Sequence, residues 1–120
     1  MAKQRKIEII PTETQEQITV ASWLRVNNIL FYHVPNEAKR SIGLARIEIA
    51  MGLQSGVPDI CIPIARKGFH GLYIEMKSLK GKATENQLKW LKNLKEQGYQ
   101  CYVCKGADIA IKAIQDYLEG

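Results

Sequence analysis

The chain has 120 residues, the length of one ordinary domain. Hydrophobic residues make up 46% of it and charged residues 24%, so it can bury a core and remain soluble. We expect a single domain over residues 1–120, with residues 1–10 forming a loose basic segment. A chain of this size has little room for appended domains, so a functional site must be part of the core fold.

The charge balance is basic, with 17 Lys and Arg residues against 12 Asp and Glu residues and a net charge of +5. Such a balance favours a polyanionic partner, because released counterions drive association, although many soluble proteins are mildly basic without one. Three cysteines and no apolar stretch of transmembrane length argue against a disulfide-bonded secreted protein and a membrane protein. We therefore expect a cytoplasmic location, in a bacterium or in the host cell of a virus.

The first half of the chain begins with a predicted helix over residues 12–28. Thr12 and Gln15 fit a capping box. The apolar face of this helix is predicted from helical spacing: Ile18, Ala21, Trp23 and Leu24. A β-rich run at residues 29–34 follows, and a second predicted helix over residues 41–52 ends at Gly52.

The second half begins with two strands, at residues 57–64 and 71–76, joined by a polar loop that predicts an antiparallel hairpin. A helix over residues 84–97 has a predicted buried stripe of Leu88, Leu91 and Leu94, and Gly98 ends it. A strand at 99–104 and a helix at 107–118 complete the chain. This order predicts a three-layer α/β fold, with a small central mixed sheet flanked by helices.

Charged residues interrupt the apolar hairpin at one end. Asp59 lies near the start of the first strand, and Glu75 and Lys77 lie at the end of the second. These ends are adjacent in an antiparallel pair, and alternation places Glu75 and Lys77 on one face with Met76 opposite. The sequence therefore predicts two carboxylates and one ammonium group clustered at one end of the sheet.

Such a cluster suits phosphodiester hydrolysis. Mg²⁺ takes oxygen ligands, which Asp59 and Glu75 can supply, with the backbone carbonyl of Met76 as a plausible third. Lys77 can orient the attacking water or stabilise developing negative charge. An isolated Glu-x-Lys is usually a solvated surface pair, but here the flanking residues are apolar, and a tight turn holds Asp59.

At this point the residues resemble a known family. Gly56-Val57-Pro58-Asp59 followed by Ile74-Glu75-Met76-Lys77 resembles the PD-(D/E)xK nuclease superfamily, and more narrowly a stand-alone VRR-NUC (virus-type replication-repair nuclease) domain. The resemblance covers roughly residues 12–105 and includes His33-Val34-Pro35-Asn36, the Gly-rich approach 52–56 and the helix with Gln87 and Trp90. It implies a restriction-endonuclease-like fold.

The resemblance also implies a further acidic residue on the first helix. Glu13 fits the family's spacing to Gln17, and Glu16, one turn away, is the alternative. The family pattern places Gln87 near the active site, where it would touch the lysine or the water. Gln87 also completes a capping box with Thr84, and these two roles are compatible.

Several basic and polar residues are candidate DNA contacts. Lys80 and Lys82 follow Lys77 in the next loop, and basic side chains near a site suit phosphate binding. The resemblance adds Asn36, Arg40 and His33 from the segment before the catalytic strand. For His33 a DNA contact and a structural role both remain open.

These observations give two functional hypotheses. The first is a nuclease that depends on Mg²⁺, with Mn²⁺ as a substitute. The resemblance implies that its substrate is branched or structured DNA, such as a Holliday junction, in replication, repair or recombination. Resolving a junction symmetrically requires a homodimer, and the apolar segment 41–51 is a candidate interface. A small stand-alone form suits a phage or another mobile element. The alternative is a non-catalytic module that binds DNA structures on the same fold.

Overall fold

The computed structural model describes residues 10–35 and 41–119. Four helices and four strands follow one another in the order α1 (Glu13–Val26), β1 (Tyr32–His33), α2 (Ile42–Ala50), β2 (Ile60–Ile62), β3 (Leu72–Lys77), α3 (Glu85–Glu96), β4 (Gln100–Lys105) and α4 (Ala107–Leu118). The predicted element order is confirmed. Asn36, Arg40 and all but the last residue of the predicted basic segment 1–10 lie outside the described residues.

The four strands form one mixed sheet in the order β1-β2-β3-β4. β1 and β3 both pair antiparallel with β2, whereas β4 pairs parallel with β3. The predicted hairpin is therefore β2–β3, with Ile60 opposite Ile74 and Ile62 opposite Leu72. The connection from β3 to parallel β4 runs through α3, the helical crossover that such a pair needs.

Helices cover both faces of the sheet, which confirms the predicted α/β fold. One face of β3 packs with α1 and α4 in a core that includes Leu72, Ile74, Met76, Val20 and Ile114. The other face of β3 meets α3, since Gln87 of α3 contacts Glu75. The core thus lies between the sheet and the α1–α4 pair, and the charged residues of β3 lie on the opposite side.

Two helices begin at the capping boxes expected from the sequence. The Thr12 hydroxyl accepts a hydrogen bond from the Gln15 backbone amide, and the Gln15 side chain bonds back to the backbone of Thr12. Thr84 and Gln87 repeat this arrangement at the start of α3. Each box satisfies two backbone N–H groups that a helix start leaves unpaired.

The buried faces of these helices differ in part from the prediction. Val20 and Leu24 are the buried residues of α1, whereas Ile18 is 60% exposed. Leu91 is buried in α3, but Leu88 is 53% exposed. The assignments of Ile18 and Leu88 to the buried faces were wrong, because in each helix the inward face begins with polar residues that the apolar pattern overlooks.

The first two strands are shorter than predicted. β2 covers only Ile60–Ile62 of the run 57–64, and it lies between Pro58 and Pro63, whose nitrogens cannot donate to the sheet. β1 covers only Tyr32–His33 of the run 29–34. The short β2 places Asp59 directly before its first residue.

α2 differs from the other helices in its surroundings. It is capped by the Ser41 hydroxyl, and within the described part of the chain none of its residues is buried. Its apolar side chains are consequently exposed: Ile42, Leu44, Ile47 and Ile49, with Met51 just beyond. Among the described residues, no helix has the length and apolarity required to cross a membrane.

Candidate functional site

The register of the hairpin brings Asp59 beside the end of β3. Ile60 pairs with Ile74, so Asp59, one residue earlier, lies level with Glu75. The backbone amide of Met76 donates a 2.8 Å hydrogen bond to Asp59 Oδ2. This bond fixes one carboxylate oxygen of Asp59.

Glu75 and Lys77 occupy the face of β3 opposite the core. Met76 between them belongs to the core, as strand alternation requires. Glu75 is 1% exposed and Lys77 is 8% exposed, and they are the only charged residues buried in the described part of the chain. A solvated surface pair on a strand end would be far more exposed. Glu75 and Lys77 are therefore buried side chains and not a surface ion pair.

A third carboxylate comes from the first turn of α1. One oxygen each from Glu13, Asp59 and Glu75 lie within 4.8 Å of one another. Glu16, the alternative on the same helix, instead accepts a hydrogen bond from the backbone amide of Ala107 at the start of α4. The fold therefore brings Glu13 to the cluster and directs Glu16 to a helix terminus.

The protonation of the cluster reflects burial and mutual repulsion. Burial raises the pKa of Glu75 to about 9, and contact with the Asp59 carboxyl group adds to the rise. Burial also raises the pKa of Glu13, while the nearby Lys77 charge opposes that rise. In their ionised forms carboxylates packed this closely would repel one another, and a bound cation would relieve that repulsion.

Gln87 connects α3 to the cluster. Its side-chain oxygen accepts a hydrogen bond of 2.8 Å from the Thr84 backbone amide, which completes the capping box. Its side-chain nitrogen donates a longer bond, 3.4 Å, to Glu75 Oε2. The first contact is the capping box expected from the sequence, whereas the second is with Glu75, and the family pattern had placed Gln87 against the lysine or the water.

The backbone carbonyl of Asp59 is held by β1. It accepts a 2.8 Å hydrogen bond from the Val34 amide, and His33 Nδ1 lies 2.9 Å from it, close enough to donate when that nitrogen carries the proton. The same Nδ1 lies 2.8 Å from the side-chain nitrogen of Gln17 on α1. Gln17 was not among the predicted site residues. Its position four residues after Glu13, on the same helix face, is the sequence signal that could have identified it.

The loop that leads to Asp59 is attached to α3. The Asn86 side chain donates to the backbone oxygen of Ser55 at 2.9 Å and lies 3.0 Å from the Ser55 hydroxyl. Gly56 has a φ of +89°, and a Cβ there would come within 3.0 Å of the Asn86 backbone. This close approach explains the need for glycine in the turn before Asp59. No pattern in the sequence identifies Asn86 as its partner.

The remaining predicted site residues lie in β3, in the segment that follows it or outside the described residues. Lys80 and Lys82 are exposed in the turn after β3, which a 3.0 Å bond from the Gly81 amide to the Ser78 carbonyl closes. The part of Met76 that meets Asp59 is its amide, and the proposed role of its carbonyl stays a prediction. Asn36 and Arg40 lie outside the described residues.

The residues present fit a hard divalent cation. All three groups offer carboxylate oxygens, the ligands that Mg²⁺ and Mn²⁺ prefer. Glu75 Oε1 is buried and has no hydrogen-bond partner among the described residues. Leaving a buried carboxylate oxygen unpaired is costly unless something else binds it, and a cation at this position would do so.

The geometry can be compared with known proteins. The family model of the VRR-NUC domain matches residues 11–108. A solved structure described as a VRR-NUC domain protein superimposes with a TM-score of 0.79 at 31% identity, covering 92% of this chain and 91% of that one. No curated protein sequence matches the chain. The matched span contains all three carboxylates, Lys77 and Gln87, and the chain belongs to the VRR-NUC domain family, a family of nucleases.

Proposed function

We propose that this chain is a metal-dependent DNA endonuclease that uses Mg²⁺, or Mn²⁺ in its place, to hydrolyse phosphodiester bonds. The observation that supports the proposal best is the cluster of Glu13, Asp59 and Glu75, with their oxygens within 4.8 Å of one another. Lys77, buried next to them, adds the positive group that phosphodiester hydrolysis needs. These four residues are the proposed catalytic centre.

In the proposed mechanism each side chain has a separate task. Glu13, Asp59 and Glu75 would hold the cation, with the Met76 carbonyl as an additional ligand. A cation bound there would supply positive charge to the phosphate and lower the pKa of a neighbouring water. Lys77 orients the attacking water and stabilises negative charge that develops on the phosphate oxygens. Gln87 holds Glu75 through its 3.4 Å contact with Oε2.

The proposed substrate is branched or structured DNA, bound through its backbone. Lys80 and Lys82 are exposed in the turn that follows Lys77, so their ammonium groups can contact phosphates flanking the scissile bond. Arg40 and Asn36 are proposed contacts on the other side of the site, whereas His33, whose Nδ1 lies beside Asp59 and Gln17, is given a structural role. The net charge of +5 supports a polyanionic partner in general.

A homodimer is part of the proposal because a four-way junction must be cut in two strands. The apolar side chains of α2 are exposed within the described chain, and burying them against a second copy would remove them from water. A pair of identical subunits related by a two-fold axis would present two catalytic centres to the two strands.

The nuclease proposal is tested with purified protein and labelled DNA. Four-way junction, flap and linear duplex are each incubated with Mg²⁺, Mn²⁺ or EDTA. We expect metal-dependent cutting of the branched substrates, abolished by EDTA. Asp59→Asn should lower the rate at least about 100-fold, because it removes one cation ligand. Failure to cut any of these substrates with either metal would contradict the nuclease proposal.

A matched variant controls for general effects of losing an acidic group. Glu96 is exposed at the far end of α3, about 13 Å along the helix from Gln87. Glu96→Gln should cut at the wild-type rate. Tight binding of the junction without any cutting would favour the alternative, a non-catalytic DNA-binding module.

A further inference from the structure

Two polar side chains outside the carboxylate cluster meet behind Asp59. His33 Nδ1 lies 2.9 Å from the Asp59 carbonyl oxygen and 2.8 Å from Gln17 Nε2. A protonated Nδ1 donates to the carbonyl, and an unprotonated Nδ1 accepts from the Gln17 amide. Either tautomer therefore keeps a conventional hydrogen bond from the imidazole to one of its two neighbours.

With Nδ1 unprotonated, the hydrogen bond from Gln17 joins α1, which carries Glu13, to β1, and the Val34 amide just after β1 holds the Asp59 carbonyl at 2.8 Å. Gln17 lies one helical turn after Glu13, so both side chains project from one face of α1. β1, which carries His33, is only two residues long and holds the backbone beside Asp59. A strand this short offers few ladder bonds, so a side-chain connection to α1 adds a constraint that the sheet does not provide.

The geometry points to a positioning role for Gln17 and His33, and this inference rests on the proposed nuclease function. We infer that this pair sets the separation between the Glu13 and Asp59 carboxylates and thereby tunes cation binding. Both neighbours of His33 lie beside Nδ1, so the positioning role requires the Nδ1 edge of the imidazole and not the Nε2 edge. Neither residue needs to touch the cation or the DNA for this role.

Two substitutions of His33 separate the two edges of the imidazole. In His33→Asn the side-chain amide can replace Nδ1, whereas in His33→Gln the longer side chain places its amide near the position of Nε2. We expect His33→Gln to need at least about 10-fold more Mn²⁺ for half-maximal binding and to cut more slowly, since small displacements of catalytic groups are costly. His33→Asn should restore most of both properties.

The measurements are Mn²⁺ binding without DNA, followed by electron paramagnetic resonance, and cleavage of the four-way junction over a range of Mn²⁺ concentrations. Junction affinity in EDTA is measured in parallel. We expect the junction affinity of both His33 variants to stay within about twofold of the wild-type value. His70→Gln serves as the matched control, because His70 contacts Gly98 and Tyr99 away from the carboxylate cluster.

The outcomes separate this inference from the proposed function. Wild-type protein that neither binds Mn²⁺ nor cuts DNA would contradict the proposed function itself. Wild-type activity in His33→Gln together with lost junction affinity in His33→Asn would overturn the inference, because it would make Nε2 a DNA contact. Unchanged Mn²⁺ dependence in every His33 variant would overturn it as well.

Gln17 provides a second route if a His33 variant fails to fold. Gln17→Ala should weaken Mn²⁺ binding in the same direction, by about 5-fold or more. The double variant Gln17→Ala with His33→Gln should be little worse than His33→Gln alone, because both residues act through one connection. Effects that multiply would show independent roles and would contradict the pairing.

Discussion

Glu75 is a carboxyl group in surroundings that oppose its charge. It is 1% exposed, one of its oxygens has no partner among the described residues, and its pKa is raised by burial to about 9. Such an arrangement is unfavourable for stability without a compensating ligand. Perturbed ionisable groups of this kind are concentrated at functional sites, where binding or catalysis uses the unsatisfied group.

The raised pKa of Glu75 predicts how stability of the metal-free protein depends on pH. Because the folded-state pKa of about 9 exceeds the ordinary value of 4.5, the folded chain keeps a proton that the unfolded chain has lost. The proton on Glu75 therefore favours the folded state. This contribution to the free energy of unfolding is complete below about pH 4.5 and is lost as the pH rises to about 9. In EDTA we expect the wild-type Tm to fall by at least about 5 °C between pH 5 and pH 9.

Glu75→Gln separates this effect from other titrations. The amide has a similar shape and does not ionise, so the decline in Tm over the same pH range should be much smaller. Thermal denaturation followed by circular dichroism measures it, with Glu96→Gln as the control. Equal pH dependence in wild type and Glu75→Gln would show that Glu75 is not the titrating group.

Lys77 should affect catalysis more than cation binding. Replacing Lys77 with Met keeps much of the side-chain volume and removes the charge that is proposed to stabilise the transition state. We expect the cleavage rate to fall about 100- to 1,000-fold, the usual consequence of losing one such donor, while saturable Mn²⁺ binding persists. Single-turnover cleavage and metal titration test this pair of results. Loss of Mn²⁺ binding with a normal cleavage rate at saturating metal would contradict it.

At the scale of secondary-structure elements, α1 and α3 have the same arrangement of polar and apolar residues along their inward faces. The inward face of α1 runs through Glu13, Gln17, Val20 and Leu24, beginning at the site and ending in the core. In α3 the same succession starts at Gln87 and continues through Leu91 and Leu94. Each helix therefore changes from polar to apolar along a single face.

This succession explains why the sequence predicted the helices better than their faces. Apolar periodicity and capping boxes were sufficient to locate α1 and α3. The same periodicity assigned Ile18 and Leu88 to the buried faces, because polar residues at the site interrupt the inward stripe. The hairpin end was predictable, since register and alternation bring Asp59, Glu75 and Lys77 together. The contact of Gln17 with His33 depends on how α1 packs beside β1, which no local pattern specifies.

Glu16 belongs to the element scale because it joins α1 to α4. α4 begins after Gly106, which offers no side chain for a cap, and the Glu16 carboxylate accepts the Ala107 amide instead. Glu16→Ala should lower the free energy of unfolding by about 1 kcal/mol, the usual cost of losing a cap, and Tm by roughly 3–6 °C. Glu16→Gln keeps an acceptor oxygen and should lose less.

Mn²⁺ titration of the Glu16 variants completes this prediction. Binding should remain near the wild-type level in both Glu16 variants, whereas Glu13→Gln should weaken it strongly. A normal Tm combined with lost Mn²⁺ binding in Glu16→Ala would reverse the assignment of these two residues.

At the scale of the whole molecule, α2 bears on the proposed homodimer. Ile47 is 59% exposed, and Ile109 on α4 is exposed to a similar extent, at 53%. We expect wild-type protein to sediment as a dimer, and Ile47→Glu to shift it to a monomer, because a charge would have to be buried in the interface. Ile109→Glu is the matched control and should remain dimeric.

Junction cleavage gives the functional counterpart of this experiment. A monomeric Ile47→Glu protein should nick one strand and lose paired cuts in opposite strands. Sedimentation of wild type as a monomer at high protein concentration, or a dimer unaffected by Ile47→Glu, would contradict an α2 interface.

The proposed cation site joins residues from three parts of the fold: the start of α1, the turn before β2 and the end of β3. The most direct test is Mn²⁺ binding to the intact chain without DNA, measured by electron paramagnetic resonance, because it does not depend on which DNA is the substrate. We predict saturable binding to wild type and to Glu96→Gln, and its loss in Asp59→Asn. Equal binding by wild type and Asp59→Asn would contradict the assignment of this cluster as the metal centre.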